Sequence, residues 1–428
     1  MGHRLVTDAR SWADAVGSGA TELLVLPPGF QPGALSPDEL AGRLAAPNPG
    51  VVYADGEDWL PDWSPVLLRH RDYVTGPLLV RGVALAPGGL VDGPGWHHDL
   101  VLRVAEAGLP VQHRRERLGS GGRPHTSAAA VRAHLSRLGL AADVTDRQPG
   151  LLSVRRHPSP GRVSLVVPTR GTVATVGGRP RRLVTELVRE VESQRYEIDH
   201  DWVVVVDADT QDEYVPELRA ELGDRLTVVE YDRPFNFSEK VNLGVLATDA
   251  ELVAVLNDDL AVVTPTWLDH LAALAQEPGV GAVGCVLLYE DGRVQHGGHE
   301  FVATGGAHAV RHVLRGRPVD AGGCLAYDRE VSGVTGACLV QRRDVWAAVG
   351  GWSELFPRNY NDVDLCLKVS ALGLRTVVSG EVVLRHFEGR TRSQEVPPDE
   401  RALLGRRWEH RLAYEGYCRP EEAAPVEG

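Results

Sequence analysis

The sequence predicts an α/β protein whose main sheet is doubly wound, mostly parallel and Rossmann-like, preceded by a smaller α/β domain. Short apolar strands alternate with amphipathic helical segments in the second half of the chain, the pattern of parallel strands joined by right-handed crossovers. Polar residues follow three of these strands at their carboxyl ends, where open α/β sheets bind ligands. A segment rich in Pro, Gly and Arg at 151–162 has linker composition, so we expect one domain at 1–150 and another at 163–428.

The elements of the second half can be assigned in order from their apolar patterns. Four buried-type strands are predicted at 163–167, 202–206, 226–229 and 252–256. A helix around Leu187 follows the first strand, and a second helix, with Ser238 as its N-cap, precedes the fourth. A hairpin turn is predicted at Asp291-Gly292.

Composition limits the classes of function that the chain can have. With 428 residues and 43% hydrophobic side chains, it can bury a sizeable core. Its net charge of −13 disfavours nucleic acid as a partner, because a phosphate backbone requires a basic surface. The five cysteines lack Cys-x-x-Cys spacing and are interpreted as reduced, buried thiols.

No apolar run is long enough to span a membrane, and the first residues lack the apolar stretch of a signal peptide. We therefore expect no transmembrane segment and a cytoplasmic location, with peripheral attachment at the inner membrane face as an alternative. The sequence leaves the oligomeric state open.

Three consecutive polar residues, Asn257-Asp258-Asp259, end the predicted strand at 252–256. Adjacent carboxylates repel each other unless a cation joins them, and hard oxygen ligands suit Mg²⁺ or Mn²⁺ carrying a phosphate. A metal-bound diphosphate is the first hypothesis, and a solvated turn is the alternative. Polar residues at the ends of two other strands, Pro168-Thr169 and Asp207, favour a shared site over independent turns.

Several histidines lie beyond the hairpin turn, among them His299, His308 and His312. A zinc-protease helix would need a second histidine three residues after Glu300, where this chain has Ala303. We interpret these histidines as loop or packing residues.

A second acidic segment, Asn361-Asp-Val-Asp364, opens a predicted helix with Asn361 as its N-cap. Acidic residues favour the start of any helix because they complement its dipole, so a purely structural role is one reading. The preceding glycine-aromatic loop favours another, in which a sugar ring stacks on Trp352 and a hydroxyl meets Asp362. A general base must lie within hydrogen-bond reach of the attacking hydroxyl.

Seven motifs, taken together, resemble family 2 glycosyltransferases, especially rhamnosyltransferase-like members of cell-surface polysaccharide pathways. They appear in the family's order between about Val163 and His386. The motifs are Val163-Ser-Leu-Val-Val-Pro-Thr169, Phe235-Asn-Phe-Ser-Glu-Lys-Val-Asn-Leu-Gly244, Leu256-Asn-Asp-Asp259, Val294-Gln-His-Gly-Gly298, Val334-Thr-Gly-Ala-Cys338, Gly350-Gly-Trp352 and Asp362-Val-Asp-Leu-Cys-Leu367.

The resemblance implies a GT-A fold and an inverting, metal-dependent transfer of a sugar from a nucleotide-diphosphate donor to a hydroxyl of a glycan or lipid-linked acceptor. It also implies a role for each matching residue. Pro168, Thr169 and Asp207 would line the nucleotide pocket. Lys240 and Asn242 would lie on the donor side. Asn257 and Asp258 would bind the donor as part of the family's acidic motif. Asp259 would be the principal ligand of Mn²⁺ or Mg²⁺ and His386 a second ligand, with Asp362 the catalytic base and Asp364 a supporting or acceptor-binding acid.

Part of the first half repeats the second. The segment from Asp99 to Gly108 parallels that from Asp364 to Gly373, and His97 stands where the second copy has Asp362. We interpret the first half as a degenerate glycosyltransferase-like domain without metal or base, although a chance likeness between two amphipathic helices is an alternative.

Two other functions are compatible with an α/β sheet and clustered acids. A nucleotide-sugar pyrophosphorylase would carry a glycine-rich basic phosphate loop after its first strand, for which Pro168-Thr-Arg-Gly171 is a poor candidate. A catalytically silent glycan-binding or scaffold protein would not need both Asp259 and Asp362.

Overall fold

The computed structural model describes residues 3–46, 50–81, 89–304, 307–319, 323–387 and 397–418. The chain divides into two compact units, Met1–Arg155 and Arg156–Gly428. None of the helices in the described ranges has the length and apolar character needed to span a bilayer. The five cysteines are buried free thiols, as expected.

The first unit contains a mixed sheet in the order β1-β2-β4-β3-β5 and a separate two-stranded sheet of β6 and β7. The strands are β1 (Arg4–Val6), β2 (Glu22–Val25), β3 (Val51–Asp55), β4 (Leu78–Arg81), β5 (Val111–Arg117), β6 (Ala142–Gln148) and β7 (Leu151–Arg156). The helices are α1 (Ala9–Gly17), α2 (Pro37–Leu44), α3 (Pro65–Leu68), α4 (Trp96–Glu106) and α5 (Ala128–Leu138).

Strand β7 occupies the first half of the segment predicted as a linker. Gly150 adopts a left-handed φ of 78° in the turn between β6 and β7, and Leu152 N–H donates to His70 O at 2.8 Å. Gly150 therefore forms a turn, and β7 is hydrogen-bonded to the first unit.

The second unit is built on a large mixed sheet whose main path runs β12-β11-β8-β13-β20-β15-β21-β14. Its strands are β8 (Arg162–Thr169), β9 (Val173–Val176), β10 (Arg179–Arg182), β11 (Asp199–Asp207), β12 (Leu226–Tyr231), β13 (Leu252–Leu256), β14 (Leu260–Val262), β15 (Val280–Leu288), β16 (Val294–His296), β17 (His299–Thr304), β18 (Ala307–His312), β19 (Arg329–Val331), β20 (Cys338–Arg342) and β21 (Arg375–His386). Its helices are α6 (Leu183–Glu192), α7 (Val215–Leu222), α8 (Phe237–Leu246), α9 (Trp267–Gln276), α10 (Arg343–Ala348), α11 (Asn361–Ala371) and α12 (Pro398–Leu412).

The predicted parallel core of the sheet is confirmed, because β12, β11, β8 and β13 all pair in parallel. The apolar, β-branched residues of β8, β11 and β13 are buried on both faces, as in sheets covered by helices. Beyond β13 the sheet becomes mixed, because β20 inserts antiparallel between β13 and β15. The predicted turn at Asp291-Gly292 is confirmed and joins antiparallel β15 and β16.

Two predicted helix starts were wrong by one or two residues. Asn236, not Ser238, is the N-cap of α8, since its side chain accepts a hydrogen bond from Glu239 N–H. Ser238 lies inside the helix and donates to Phe356 O at 2.9 Å. Helix α11 begins at Asn361 itself, and its N-cap, Tyr360, adopts a left-handed φ of 60°.

The sheets of the two units share one strand plan. In the first unit, β1 is parallel to β2, β4 lies antiparallel between β2 and β3, and β3 is parallel to β5. In the second unit, β8, β13, β20, β15 and β21 repeat this order and these directions. The chain order also corresponds, and α4 follows β4 as α11 follows β20. The first unit has no counterpart of β11 and β12 in this plan within its described residues.

Candidate active site

A cavity of about 720 Å³ lies at the carboxyl ends of β8, β11 and β13. Its volume is in the range of small-molecule sites. The predicted residues that line it are Pro168, Thr169, Asp207, Lys240, Asn257, Asp258 and Asp259. The sheet edge expected from the sequence is therefore the edge of a ligand-sized cavity.

Lys240 supplies a fixed positive charge to this cavity from α8. Its ammonium lies 2.7 Å from Asp207 Oδ1 and donates to Thr169 O at 3.1 Å. The ammonium is also 5.3 Å from the centre of the Tyr231 ring. Helix α8 packs closely on the sheet at Gly244, where an added Cβ would lie 2.4 Å from a Val166 methyl group. This close packing and the three contacts fix a buried lysine at the ends of three strands, β8, β11 and β12.

Asp258 and Asp259 have different environments although they are adjacent. Thr169 Oγ1 donates to Asp258 Oδ2 at 2.6 Å in the interior. Burial, together with the neighbouring charge of Asp259, raises the pKa of Asp258 above its ordinary value. A nearby cation therefore stabilises the ionised form of Asp258. The hydrogen bond from Thr169 fixes the orientation of its carboxyl group.

Asp259 is paired with His386 across the β14-β21 contact. Strand pairing places Leu260 opposite His386, and Phe387 N–H donates to Asp259 O at 3.0 Å. The side chains meet, with His386 Nε2 2.9 Å from Asp259 Oδ1. On its other side, His386 Nδ1 lies 2.7 Å from Gln295 Oε1. The imidazole of His386 and the carboxylate of Asp259 are thus in direct contact. The other ring nitrogen of His386 is paired with Gln295.

Asp362 is held by the loop before β20. Gly336 N–H donates to Asp362 Oδ2 at 2.9 Å, and Val363 N–H lies 2.8 Å from Oδ1. In the same loop, Ala337 O accepts from Asn257 N–H at 2.9 Å. One short loop therefore contacts both the acidic motif and the half-buried carboxylate of Asp362.

Two residues predicted for substrate contacts have structural roles instead. Trp352 is only 1% exposed and packs edge-on against Phe237, so its ring cannot stack on a sugar. Asn242 does not line the cavity, because its amide is bonded to the backbone of Trp352: it donates to O at 2.9 Å and accepts from N–H at 2.8 Å. Asn242 therefore holds the glycine-aromatic loop in place.

Asp364 was predicted as a supporting or acceptor-binding acid, and its burial leaves the supporting role. Its carboxylate is fully buried under α12. Trp408 Nε1 donates to it at 2.8 Å, and Arg407 Nε lies at 2.9 Å. Asp364 anchors α12 on α11, behind Asp362.

Some residues of the site had no role assigned from the sequence. Gln295 lies within a motif that the sequence contains, but only the fold shows that it contacts His386. Tyr231, Arg233 and Arg358 line the cavity from loops and a strand end that carry no recognisable motif, and Phe235 lines it from a motif whose first residue had no role assigned.

Comparisons with known proteins identify the family of the chain. The family model described as "Glycosyltransferase like family 2" matches residues 160–408. The chain therefore belongs to this family, and its second unit has the parallel-rich α/β sheet that the resemblance implied. The chain is 35% identical over 402 residues to the O-antigen biosynthesis protein RfbC of Myxococcus xanthus and 36% identical over 413 residues to the uncharacterized protein y4gI of Sinorhizobium fredii.

Both relatives are much longer than this chain. The alignments cover 85% of the chain in each case but 31% of RfbC and 43% of y4gI. Among solved structures, GalNAc-T7 with UDP, GalNAc and Mn²⁺ aligns with a TM-score of 0.44 and 11% identity, over 59% of this chain and 50% of that one. The mannosyltransferase PcManGT of Pyrobaculum calidifontis with GDP-Man and Mn²⁺ aligns with a TM-score of 0.39 and 16% identity, over 72% and 78%.

Proposed function

We propose that the second unit transfers a sugar, with inversion, from a nucleotide-diphosphate donor to a hydroxyl of a glycan or lipid-linked acceptor, using a divalent metal ion. The name of the Myxococcus relative supports a role in O-antigen or related polysaccharide biosynthesis. The observation that carries the proposal is the 2.9 Å pairing of Asp259 with His386 beside the loop that holds Asp362.

The side chains of Asp259 and His386 are suited to bind a divalent metal ion. Asp259 offers a carboxylate oxygen and His386 an imidazole nitrogen, a donor set that suits Mn²⁺ and related ions. Metal-binding histidines usually donate their other N–H to a fixed acceptor, which is the arrangement of His386 with Gln295. When bound, the ion supplies positive charge that offsets the charge of the departing diphosphate, a contribution usually worth several kcal/mol.

The remaining steps are assigned to side chains of the chain itself. Lys240 and Asp207 form a rigid ion pair in the cavity that orients the donor, while Thr169 holds Asp258. Asp362 accepts the proton of the acceptor hydroxyl, since two backbone N–H groups orient its carboxylate. Attack from the side opposite the leaving group inverts the anomeric centre, by the logic that distinguishes inverting glycosidases.

The proposal is tested with Asp362→Asn, compared with Asp291→Asn as a control for loss of one charge on an exposed turn. We expect Asp362→Asn to lower transfer by at least about 100-fold, the scale of general-base contributions, with unchanged donor affinity. Asp291→Asn should behave like the wild type. Transfer is measured with a panel of nucleotide sugars and Mn²⁺, and donor binding by calorimetry.

Two outcomes would contradict the assignment. Equal loss of donor binding and transfer in Asp362→Asn would mean that the residue holds the donor. A product that retains the anomeric configuration of the donor, determined by NMR, would exclude single displacement. The family membership already favours a transferase over the pyrophosphorylase and scaffold alternatives.

A further inference from the structure

Three histidines form a cluster outside the site described above. His296 ends β16, while His299 and His312 are register partners across the β17-β18 hairpin. The earlier interpretation of His299 and His312 as loop or packing residues was incomplete, because both lie on strands and face a third imidazole. The side chain of His308 lies outside the described part of the chain.

The cluster has the geometry of a metal site. One ring nitrogen from each histidine lies within 4.8 Å of the other two. The ring centres are 4.9, 4.9 and 5.0 Å apart, and every pair of rings is close to perpendicular. Three imidazoles bound at about 2.0–2.1 Å around a tetrahedral zinc ion place their ring centres about 5 Å apart. The rings therefore need little movement to share one ion.

The surroundings leave nitrogen atoms available for that ion. His296 and His299 are at most 2% exposed, and His299 Nδ1 is a buried atom without a hydrogen-bond partner among the described residues. Burial lowers the pKa of all three rings, so they are neutral at physiological pH, the form that binds metals. An unpartnered buried nitrogen is costly unless something occupies it.

We propose that His296, His299 and His312 bind a divalent transition-metal ion, with Zn²⁺ the best fit. Three neutral imidazoles favour zinc over the harder Mg²⁺ or Mn²⁺, which prefer oxygen. The site shares no ligand with the Asp259-His386 pair and stands independently of the proposed transfer reaction. Three protein ligands leave a fourth position for water or another ligand.

The loop that holds Asp362 also contacts the histidine cluster. Without an ion, His296 Nε2 accepts from Thr335 N–H at 3.2 Å, so its proton lies on Nδ1, which is 2.8 Å from His312 Nδ1. If Nδ1 were the ligand atom, the proton of the neutral ring would be on Nε2, which could then no longer accept the hydrogen bond from Thr335. The adjacent residue, Gly336, donates to Asp362 Oδ2.

The test is zinc binding by the full chain, with any affinity tag removed. Protein dialysed against chelator should take up about one equivalent of Zn²⁺ by mass spectrometry of metals, and Co²⁺ should give visible absorption bands of a tetrahedral site. His299→Gln and His312→Gln should each weaken Zn²⁺ binding by more than about 100-fold, because even partners one step removed from a metal contribute 10–100-fold. His410→Gln, on the exposed face of α12, and Asp259→Asn should retain it.

Thermal unfolding gives a second readout if His299→Gln does not fold. Zn²⁺ should raise the Tm of the wild type. It should not raise the Tm of His312→Gln, whose substituted position is half-buried. The proposal is overturned if the wild type binds no zinc at micromolar concentrations, if His312→Gln binds it like the wild type, or if Asp259→Asn alone abolishes binding. Failure of the transferase proposal would leave the zinc results unchanged, so the two can be told apart.

Discussion

Replacement of Trp352 distinguishes a core residue from a sugar platform. An aromatic side chain of this size buries up to about 250 Å², which at about 25 cal/mol per Å² corresponds to about 6 kcal/mol. Trp352 is 1% exposed, so nearly all of this area is buried. Partial collapse around the cavity reduces the cost, and we expect Trp352→Ala to lower the free energy of unfolding by about 3–5 kcal/mol.

The assay is urea unfolding followed by circular dichroism, with Leu355→Ala as the control. Leu355 belongs to the same loop but is 62% exposed, so its truncation should change the free energy of unfolding by less than about 0.5 kcal/mol. If the slope of the unfolding free energy against urea concentration is unchanged, the urea concentration at the unfolding midpoint should be clearly lower for Trp352→Ala than for the control. KM for the acceptor is measured on both variants.

The reasoning would be refuted by a Trp352→Ala protein that unfolds at the wild-type midpoint while its KM for the acceptor rises tenfold or more. Such a result would return Trp352 to the sugar-binding surface and would mean that the loop opens in solution. A stability loss with unchanged KM in the folded fraction is the expected result.

Two further predictions follow from the packing of individual side chains. Gln295→Leu should weaken Mn²⁺ binding by about 10–100-fold, because His386 loses the acceptor that orients its ring, and titration calorimetry of the folded variant measures this. Burial acts to raise the pKa of Glu192, but hydrogen bonds from groups including His200 and Arg225 lower it to about 2. The ionised carboxylate therefore stabilises the fold above pH 4.5, and this contribution is lost as pH falls towards 2. Glu192→Gln should cost about 1–2 kcal/mol at pH 7, after allowance for solvent screening, and the difference from wild type should shrink by pH 3 in urea unfolding. A constant difference across this pH range would contradict the assigned cause.

The strands that position the site were predictable because their signal is local. Runs of β-branched residues such as Trp202-Val-Val-Val-Val206 are long enough to identify buried strands without any tertiary information. The ends of those strands then indicated Thr169, Asp207 and Asp259, which the structure brings to one cavity. The family match confirms the resemblance that the motif order carried.

Burial of particular side chains was not predictable, because it depends on contacts distant in the chain. The start of α11 gives no sign that α12 covers Asp364, since Trp408 lies 44 residues away. In the same way, His299 and His312 have no helical spacing and meet only through the register of two antiparallel strands. Their spacing in the sequence therefore gives no indication that their side chains meet.

The strand plan that the two sheets share has a consequence for how the protein is made. During synthesis the first copy emerges and can fold before the second is complete, which is the usual order for multidomain chains. Refolding from denaturant removes that separation in time, and equivalent strands of the two copies then compete for the same neighbours. Misassembled species should consequently be more abundant in refolding from urea than during translation, and dilution cannot relieve this competition because both copies belong to one molecule.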